Sequence, residues 1–567
     1  MTAEKQNSNK RVLLISPEGW QKVSVNLGLA LLSAALKTAG FKVRVIDLSY
    51  FPMSDEEIEK FAVEFDPFLI GISVKTAQAQ EAFRVAGLLK PCLPEARIVA
   101  GGPHATLDPG FFFRFQKDIF DYCIMSEGEI SLTLLARALA VNEEAQARDL
   151  NGVVYKDRER DRVIVNAWEP PSDLSDLPYP DFDSIYQFKT DGFCYPIVSS
   201  RGCPYSCIYC CVNLLTGSKK WRSRTPESIV DEIKHAKKKY HITSFEFWDD
   251  NFTLDINRAK TFCKLLIQSN LSLSWWCHNG IRADKIDEEL AFLMHDAGCT
   301  SVAFGIESGT EKVFNSIKKG EKLEDCVKAV GLLKKAGVKA VGYFILGLPD
   351  DTLESFIETV RFQRKLNLDH YTFGLLVPYP GTEAYKIIKS KGSINQEAFN
   401  SRHFGTDIPE ITFDLPNFPR QDIQIGYYLT RYFELYEAVE SLVEENKEVH
   451  VALIIDDNKT CRILSGLLHS VIHFSHKIKL SIHVNEDVAK INSCDSLKQI
   501  APLFTTSFND IKNQAFLSDP LHFSVVVTSE TYVKHIDSIN ARKKFVLQPD
   551  NPIEALKPVI EKATREN

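Results

Sequence analysis

Three cysteines, Cys203, Cys207 and Cys210, stand in the segment SSRGCPYSCIYC with three residues between the first pair and two between the second. Thiolates are soft ligands that select iron–sulfur clusters, zinc or Cu(I). A closed structural zinc site takes four ligands, and a cubane cluster ordinarily takes four cysteines. Three cysteines therefore leave one iron of a [4Fe-4S] cluster open to an amino and a carboxylate group of a small molecule, which can then receive an electron. Zinc completed by Cys211 or a histidine is the competing assignment on spacing alone. The other ten of the thirteen cysteines are scattered. That density makes no disulfide scaffold, and in a reducing compartment a local cluster points to metal or catalysis. Cys277 and Cys299 read as packing, the usual role of buried cysteine.

The elements that must position this loop form a repeating series. YPIVSS (195–200), SFEFWDD (244–250), SLSWWCHN (272–279), SVAFGIES (301–308), AVGYFILGLP (340–349) and YTFGLLVPYP (371–380) read as strands. They alternate with helices near 226–239, 257–269, 287–297, 322–336 and 352–366. Six such units predict a partial (β/α)6 barrel over 195–400. By analogy with the complete eight-unit barrel, its chemistry sits at the carboxyl ends of the strands, where the cysteines, Asp249, Asp250, Glu307 and Ser308 fall. Asp at such a junction is also a routine helix-starting residue.

A separate βα series occupies residues 11–150: RVLLI (11–15), KVRVIDL (42–48), FLIGIS (68–73), RIVAGG (97–102) and DYCIMSEGE (121–129), with helices near 27–39 and 76–90 and another after the last strand. Apolar strands separated by helices predict an α/β fold with a doubly wound parallel sheet and right-handed connections. Such a sheet binds ligands beyond its carboxyl ends. The loops there are Ser16–Asn26, Ser73–Gln78, Gly101-Gly102-Pro103-His104 and Ser126-Glu127-Gly128-Glu129. Glycine allows backbone to approach a large planar ligand closely, although a Gly pair also makes ordinary turns. Residues 151–194 read as a hairpin and a proline-rich linker, 401–446 as a helical connector, and 447–567 as a small C-terminal α/β domain of unknown role. Residues 1–10 are polar and expected to be disordered.

Composition narrows the function. With 67 basic and 75 acidic residues among 567, the formal charge is -8, which offers no basic field for nucleic acid. The run KHAKKK at 234–239 reads as a solvated helix face. No apolar run approaches the ~18 residues of a membrane span, and the first ten residues hold no apolar signal core. A cytoplasmic protein is expected.

With Tyr209 before its last cysteine, the triad resembles the signature of the radical S-adenosylmethionine superfamily, and FWDDNF (247–252), GIESG (305–309), GYFILGLP (342–349) and PYPGT (378–382) resemble its later strand motifs in order. Through LGLALLSAALKTAGFKVRVIDL, IGIS, AGGPHAT and SEGE, residues 11–150 resemble the cobalamin-binding domain that precedes the radical domain in class B methylases. The two resemblances cover roughly 11–390. The D-x-H-x-x-G run that supplies a histidine beneath cobalt is absent, so cobalamin is expected to bind without one from that motif.

The resemblance implies that Cys203, Cys207 and Cys210 hold the catalytic cluster. Ser73, Gly101, Gly102, His104, Glu127 and Gly128 would border cobalamin, His104 otherwise being an ordinary turn residue. Glu307, with Ser308 beside it, would accept hydrogen bonds from the amino or ribose groups of S-adenosylmethionine, and Arg282 would pair with its carboxylate. Asp249 and Asp250 would line the site. The implied activity is methyl transfer to an unactivated carbon or phosphorus of a small molecule, lipid or peptide. One S-adenosylmethionine yields a 5′-deoxyadenosyl radical that takes a substrate hydrogen, a second remethylates cobalt, and flavodoxin or ferredoxin supplies electrons. A radical cyclase or rearranging enzyme without methyl transfer is the alternative, and a non-catalytic cobalamin- or zinc-binding module the second.

Overall fold

A computed structural model describes residues 10–19, 25–114, 119–171, 173–395, 411–430 and 433, and the backbone of five strands between 449 and 547. Residues 1–9, the helix read near 459–472 and most of the connector at 401–446 lie outside the described residues, while 420–430 are helical. The chain divides into two compact units, 1–350 with 363–416, and 351–362 with 417–567.

The first sheet contains β1 (Arg11–Ser16), β2 (Lys42–Asp47), β3 (Leu69–Ser73), β4 (Arg97–Gly101), β5 (Tyr122–Ile124), β6 (Val153–Asp157) and β7 (Arg162–Val165) in the order β2-β1-β3-β4-β5-β6-β7. The first five are parallel. Val12, Leu13, Leu14 and Ile15 are fully buried on both faces of β1, which is why RVLLIS reads as an unbroken apolar run. The strand order reverses between β1 and β3, so the crevice at their carboxyl ends is where a sheet of this topology takes its ligand.

In the stretch 151–194, which reads as a hairpin and a proline-rich linker, the hairpin joins the first sheet. The hairpin strand β6 pairs antiparallel with β5 and extends the sheet, where the adjacent Val153 and Val154 are buried on its two faces. The proline-rich part lies against the same domain. Asp181 N–H donates to Ala30 O at 3.0 Å and Tyr186 N–H to Val45 O at 2.8 Å.

The second sheet consists of β8 (Cys194–Ile197), β11 (Ser244–Phe247), β12 (Ser274–Cys277), β13 (Cys299–Glu307), β14 (Lys339–Leu346) and β15 (His370–Leu375), all parallel, in the order β15-β14-β13-β12-β11-β8. Its helices start where caps allow: Thr225, Asp255, Asp287 and Thr382 each accept a bond from the first turn. Between β8 and β11 the short antiparallel pair β9 (Ser200–Arg201) and β10 (Arg222–Ser223) closes the cysteine loop. A second short pair, β16 (Ser393–Ile394) and β17 (Phe413–Asp414), follows the barrel.

In the other unit, β18 (Val449–Ile455), β19 (Ile478–Val484), β20 (Thr505–Asp510), β21 (Phe523–Ser529) and β22 (Ala541–Leu547) form a parallel sheet in the order β20-β19-β18-β21-β22. Among the described residues no helix is long and apolar enough to cross a membrane.

Asp181 ties the connector to the first domain. Its carboxylate accepts from Ser33 Oγ at 2.7 Å and Ser184 Oγ at 2.5 Å and pairs with Lys37 at 2.7 Å. Burial alone would raise its pKa, but these donors bring it below the ordinary value. A depressed carboxyl pKa contributes stability above the unfolded value, lost as pH falls through the folded one. Asp181→Asn is therefore expected to cost about 1.5–3 kcal/mol at pH 7. In urea unfolding, its difference from the native chain should shrink below about pH 4.

Candidate active site

The cysteine loop is built from its base upward. Asp249, 2% exposed at the carboxyl end of β11, accepts from Ser199 N–H at 2.7 Å and from Ser199 Oγ and Ser200 Oγ, each at 2.6 Å. Arg258 donates to Ser199 O at 2.8 Å. Asp250 accepts from Gly202 N–H at 2.8 Å. Gly202 is at φ +85°, and a Cβ there would stand 2.3 Å from Lys220 O on the returning arm, so the loop can close only around glycine. Its middle is pinned by Ile208, whose N–H donates to Ile317 O and whose O accepts from Ala384 N–H.

Burial pushes up the Cys207 thiol, with Lys319 opposing, and raises Cys210 to about 12, with Cys207 and Cys203 adding to the shift. The three thiols thus lie within one another's field. Cys211, raised by burial, also feels Asp250. Asn251 Nδ2 donates to Cys203 Sγ at 3.6 Å. Among the described residues no three His, Cys, Asp or Glu side chains are drawn to one point as a single metal ion would need. Soft thiolates suit zinc or an iron–sulfur cluster, and a cubane that takes its thiolates around four irons accepts three of them with one iron left over. Three neighbouring soft donors on one loop fit the cluster.

Glu307 faces this loop. It ends β13 at φ +67°, next to a register shift between Gly305 and Glu307. Its carboxylate folds back so far that a Cβ on Gly305 would lie 1.9 Å from Oε1. Tyr209 OH donates to Oε1 at 2.8 Å, and Lys319 Nζ stands 3.8 Å away. Burial raises the Glu307 pKa while Lys319 opposes the shift. A non-glycine residue in left-handed backbone is a strained arrangement of the kind that clusters at functional sites. Ser308, buried beside it, accepts from Thr310 N–H at 3.3 Å.

Arg282 departs from the expected pairing with a ligand carboxylate. Its guanidinium is spent within the protein: Nε on Asp284 at 2.9 Å, Nη1 on Lys319 O at 2.7 Å, Nη2 on Gly320 O at 3.2 Å, and its face 3.6 Å from the Tyr205 ring centre. Lys319, which no sequence motif marked, is buried between Glu307 and Glu321, with Glu321 at 3.0 Å. Cys277 is buried and donates to Asn279 O at 2.9 Å, and Cys299 is buried. Lys234 and Lys239 of the basic run pair with Asp231 and Asp183.

The first sheet contributes a cavity of about 590 Å³ at its carboxyl ends, within the ordinary range for ligands. Ser73, Gly101, Gly102, Glu127 and Gly128 line it, as do mid-strand Leu14 and Gly71. Gly102 sits at φ +88°, where a Cβ would be 2.9 Å from Val74 N. Asp47 lines the cavity with a buried Oδ1 that has no hydrogen-bond partner, an acceptor suited to the amide donors of a corrinoid. His104 is not among the lining residues. It packs edge-on against Phe111 and Phe112, and burial lowers its pKa to about 4. Its place in a phenylalanine cluster, rather than under cobalt, follows from the apolar FFF at 111–113 that the same turn must cover.

The barrel supplies the opposite wall of this cavity. Val198, Trp248 and Arg201, which follow the carboxyl ends of β8 and β11, line it together with the residues above. Below Trp248, Glu246, Trp276, His278, Ser301 and Tyr343 are partly exposed, while Phe245, Phe247 and Trp275 between them are buried under the helices. That alternation leaves one sheet face open. On it Trp276 Nε1 donates to Glu246 at 2.6 Å, and His278 Nε2 lies 2.7 Å from Ser301 Oγ.

Residues 197–362 match the radical SAM superfamily model and residues 21–136 the B12 binding domain model. The chain is 33% identical over 367 residues to an uncharacterized methyltransferase, PH0819, of Pyrococcus horikoshii, covering 64% of this chain and 77% of the relative. It is 24% identical to cytidylyl-2-hydroxyethylphosphonate methyltransferase of Streptomyces wedmorensis, covering 68% and 83%. Its fold is similar to that of the radical S-adenosylmethionine methyltransferase TsrM from Kitasatospora setae, with a TM-score of 0.58 at 20% identity over 67% of this chain and 76% of that one.

Metal analysis separates the ligands. After anaerobic reconstitution, Cys203→Ser, Cys207→Ser and Cys210→Ser are each expected to lose the cluster's visible absorbance, while Cys211→Ser keeps about four irons per chain. Zinc that depends on Cys211 would overturn the assignment.

Proposed function

The chain belongs to the B12-binding radical S-adenosylmethionine methyltransferase family, and from that premise we propose that it methylates an unactivated carbon or phosphorus of a small molecule, lipid or peptide. The observation that supports this reading is a cavity walled by the carboxyl ends of both sheets, lined by Arg201 at the start of the cysteine loop. When bound, the cluster supplies the electron that cleaves S-adenosylmethionine, and cobalamin relays a methyl group from a second S-adenosylmethionine to the substrate.

Cys203, Cys207 and Cys210 hold the cluster. Glu307, steadied by Tyr209 and with Lys319 beside it, accepts a hydrogen bond from the amino group of S-adenosylmethionine, with Ser308 fixing the turn behind it. Asp249 and Asp250 act on the cysteine loop rather than on the substrate. Ser73, Gly101, Gly102 and Gly128 give cobalamin backbone approach, and Asp47 accepts an amide donor. The open face of Glu246, Trp276, His278 and Tyr343 seats the substrate below Trp248, where apolar walls exclude water. A one-electron donor of the flavodoxin or ferredoxin kind serves the cluster, and the reducing cytosol suits the thiolates.

Methyl-labelled S-adenosylmethionine incubated anaerobically with the reconstituted enzyme and cell extract is expected to yield 5′-deoxyadenosine and a labelled product. Label confined to the cofactor pool would contradict methyl transfer. Glu307→Gln is expected to weaken S-adenosylmethionine binding about 10–100-fold in equilibrium dialysis, the effect of losing a hydrogen bond to a charged group, with iron content unchanged.

A further inference from the structure

The loop that carries the cysteines and the loop that borders the cobalamin cavity share one buried charge network. Arg201 and Arg222 face each other in the β9–β10 register, one on each arm of the segment 202–221. Glu127 takes both: Arg201 Nη1 at 3.0 Å, Arg222 Nη1 at 3.1 Å, and a further contact with Arg222 Nη2. Glu129 adds Arg201 Nη2 at 2.6 Å. The four side chains are 13%, 2%, 9% and 9% exposed for Arg201, Arg222, Glu127 and Glu129. Burial alone would raise the Glu129 pKa, yet Arg201 brings it below the ordinary value.

Glu127, Gly128, Glu129 and Arg201 also line the cavity. Ser126, at φ +61°, donates through Oγ to Leu215 O in the cysteine segment, and its N–H donates to Thr106 Oγ1 at 2.7 Å. Thr106 in turn donates to Gly102 O at 3.1 Å. A contiguous set of bonds therefore runs from the glycine turn after β4, through the loop after β5, to the base of the cysteine loop two residues before Cys203. A buried guanidinium stripped of its carboxylate is costly: Arg201 also has Glu129, but the remaining contact of Arg222 is with Pro171 O at 2.9 Å, so Arg222, and with it the returning arm of the loop, follows Glu127.

We propose that Glu127 is a positioning residue that couples occupancy of the cobalamin cavity to the geometry of the cluster loop through Arg201 and Arg222. The inference rests on the cofactor assignment under Proposed function. Coupling between binding sites is reciprocal: the cluster loop must alter cobalamin affinity by the same factor by which cobalamin alters binding at the cluster.

The test is titration with hydroxocobalamin of the full-length protein with and without its reconstituted cluster, followed by absorbance. The wild-type chain is expected to show a cluster-dependent change in cobalamin Kd of about 5–150-fold, and, on the cluster-loaded chain, S-adenosylmethionine should change cobalamin Kd by the same factor by which cobalamin changes S-adenosylmethionine Kd. Glu127→Gln should bring both ratios close to one while iron per chain stays as in wild type, and Glu127→Asp should restore part of them. A purely structural role would lower both affinities without changing the ratios. Should Glu127→Gln fail to fold, Arg222→Lys, which keeps the charge but loses the fork, is expected to reduce the ratio. Cobalamin bound with equal affinity in both cluster states of the wild-type chain would overturn the coupling alone. No cobalamin binding at all would overturn the cofactor assignment and the coupling with it.

Discussion

Everything at this site depends on closing a long cysteine-bearing loop over a two-residue antiparallel base. The segment 202–221 leaves and rejoins the fold through β9 and β10 alone, and so short a ladder supplies little pairing of its own. The closure is accomplished instead by Asp249 and Asp250, which hold the outgoing arm, and by the absence of a side chain at Gly202, where the returning backbone passes. A loop so anchored holds Cys203, Cys207 and Cys210 near one another, with Glu307 facing it through Tyr209.

Buried charge is the second feature, and each case has a local answer. Asp249 sits among hydroxyls with Arg258 near, Glu307 against Tyr209 and Lys319, and Glu127 between two arginines. Buried pairs of this kind cost desolvation that their attraction need not recover, so net stability is a weak explanation for them. Fixed geometry is a better one: each network sits between an element of the scaffold and a loop that meets a ligand. At Glu307 a register shift, left-handed backbone and the bare Gly305 combine to turn one carboxylate toward the cysteine loop.

Much of this was legible in the sequence. The apolar run RVLLI marks a strand buried on both faces, AVGYFILGLP marks a barrel strand, and the cysteine spacing marks a candidate metal loop without reference to the fold. Elements whose signal is polar were harder to see. The helix Asp55–Phe65 announces itself only through Ser54 and Glu57, a reciprocal cap, and β20, TTSFND, is a sheet-edge strand with no apolar run. Side-chain roles were less legible still. Arg282 has the chemistry of a carboxylate partner, but nothing in HNGIRAD says that Lys319 O and Gly320 O will claim it. Glu127 was read as a cavity residue, and its two arginine partners lie 74 and 95 positions away. His104 turned inward because Phe111 and Phe112 gave its ring an apolar seat.

The first sheet and the barrel each wall one side of the cavity, so groups held at their carboxyl ends face one space. Double resonance at the reduced cluster, using S-adenosylmethionine labelled with 15N in its amino group and 17O in its carboxylate, tests the central claim most directly. Hyperfine coupling to both nuclei is the predicted result, since both would bind the iron that no cysteine reaches. A cluster that shows no coupling to either nucleus while S-adenosylmethionine is demonstrably bound would contradict the account.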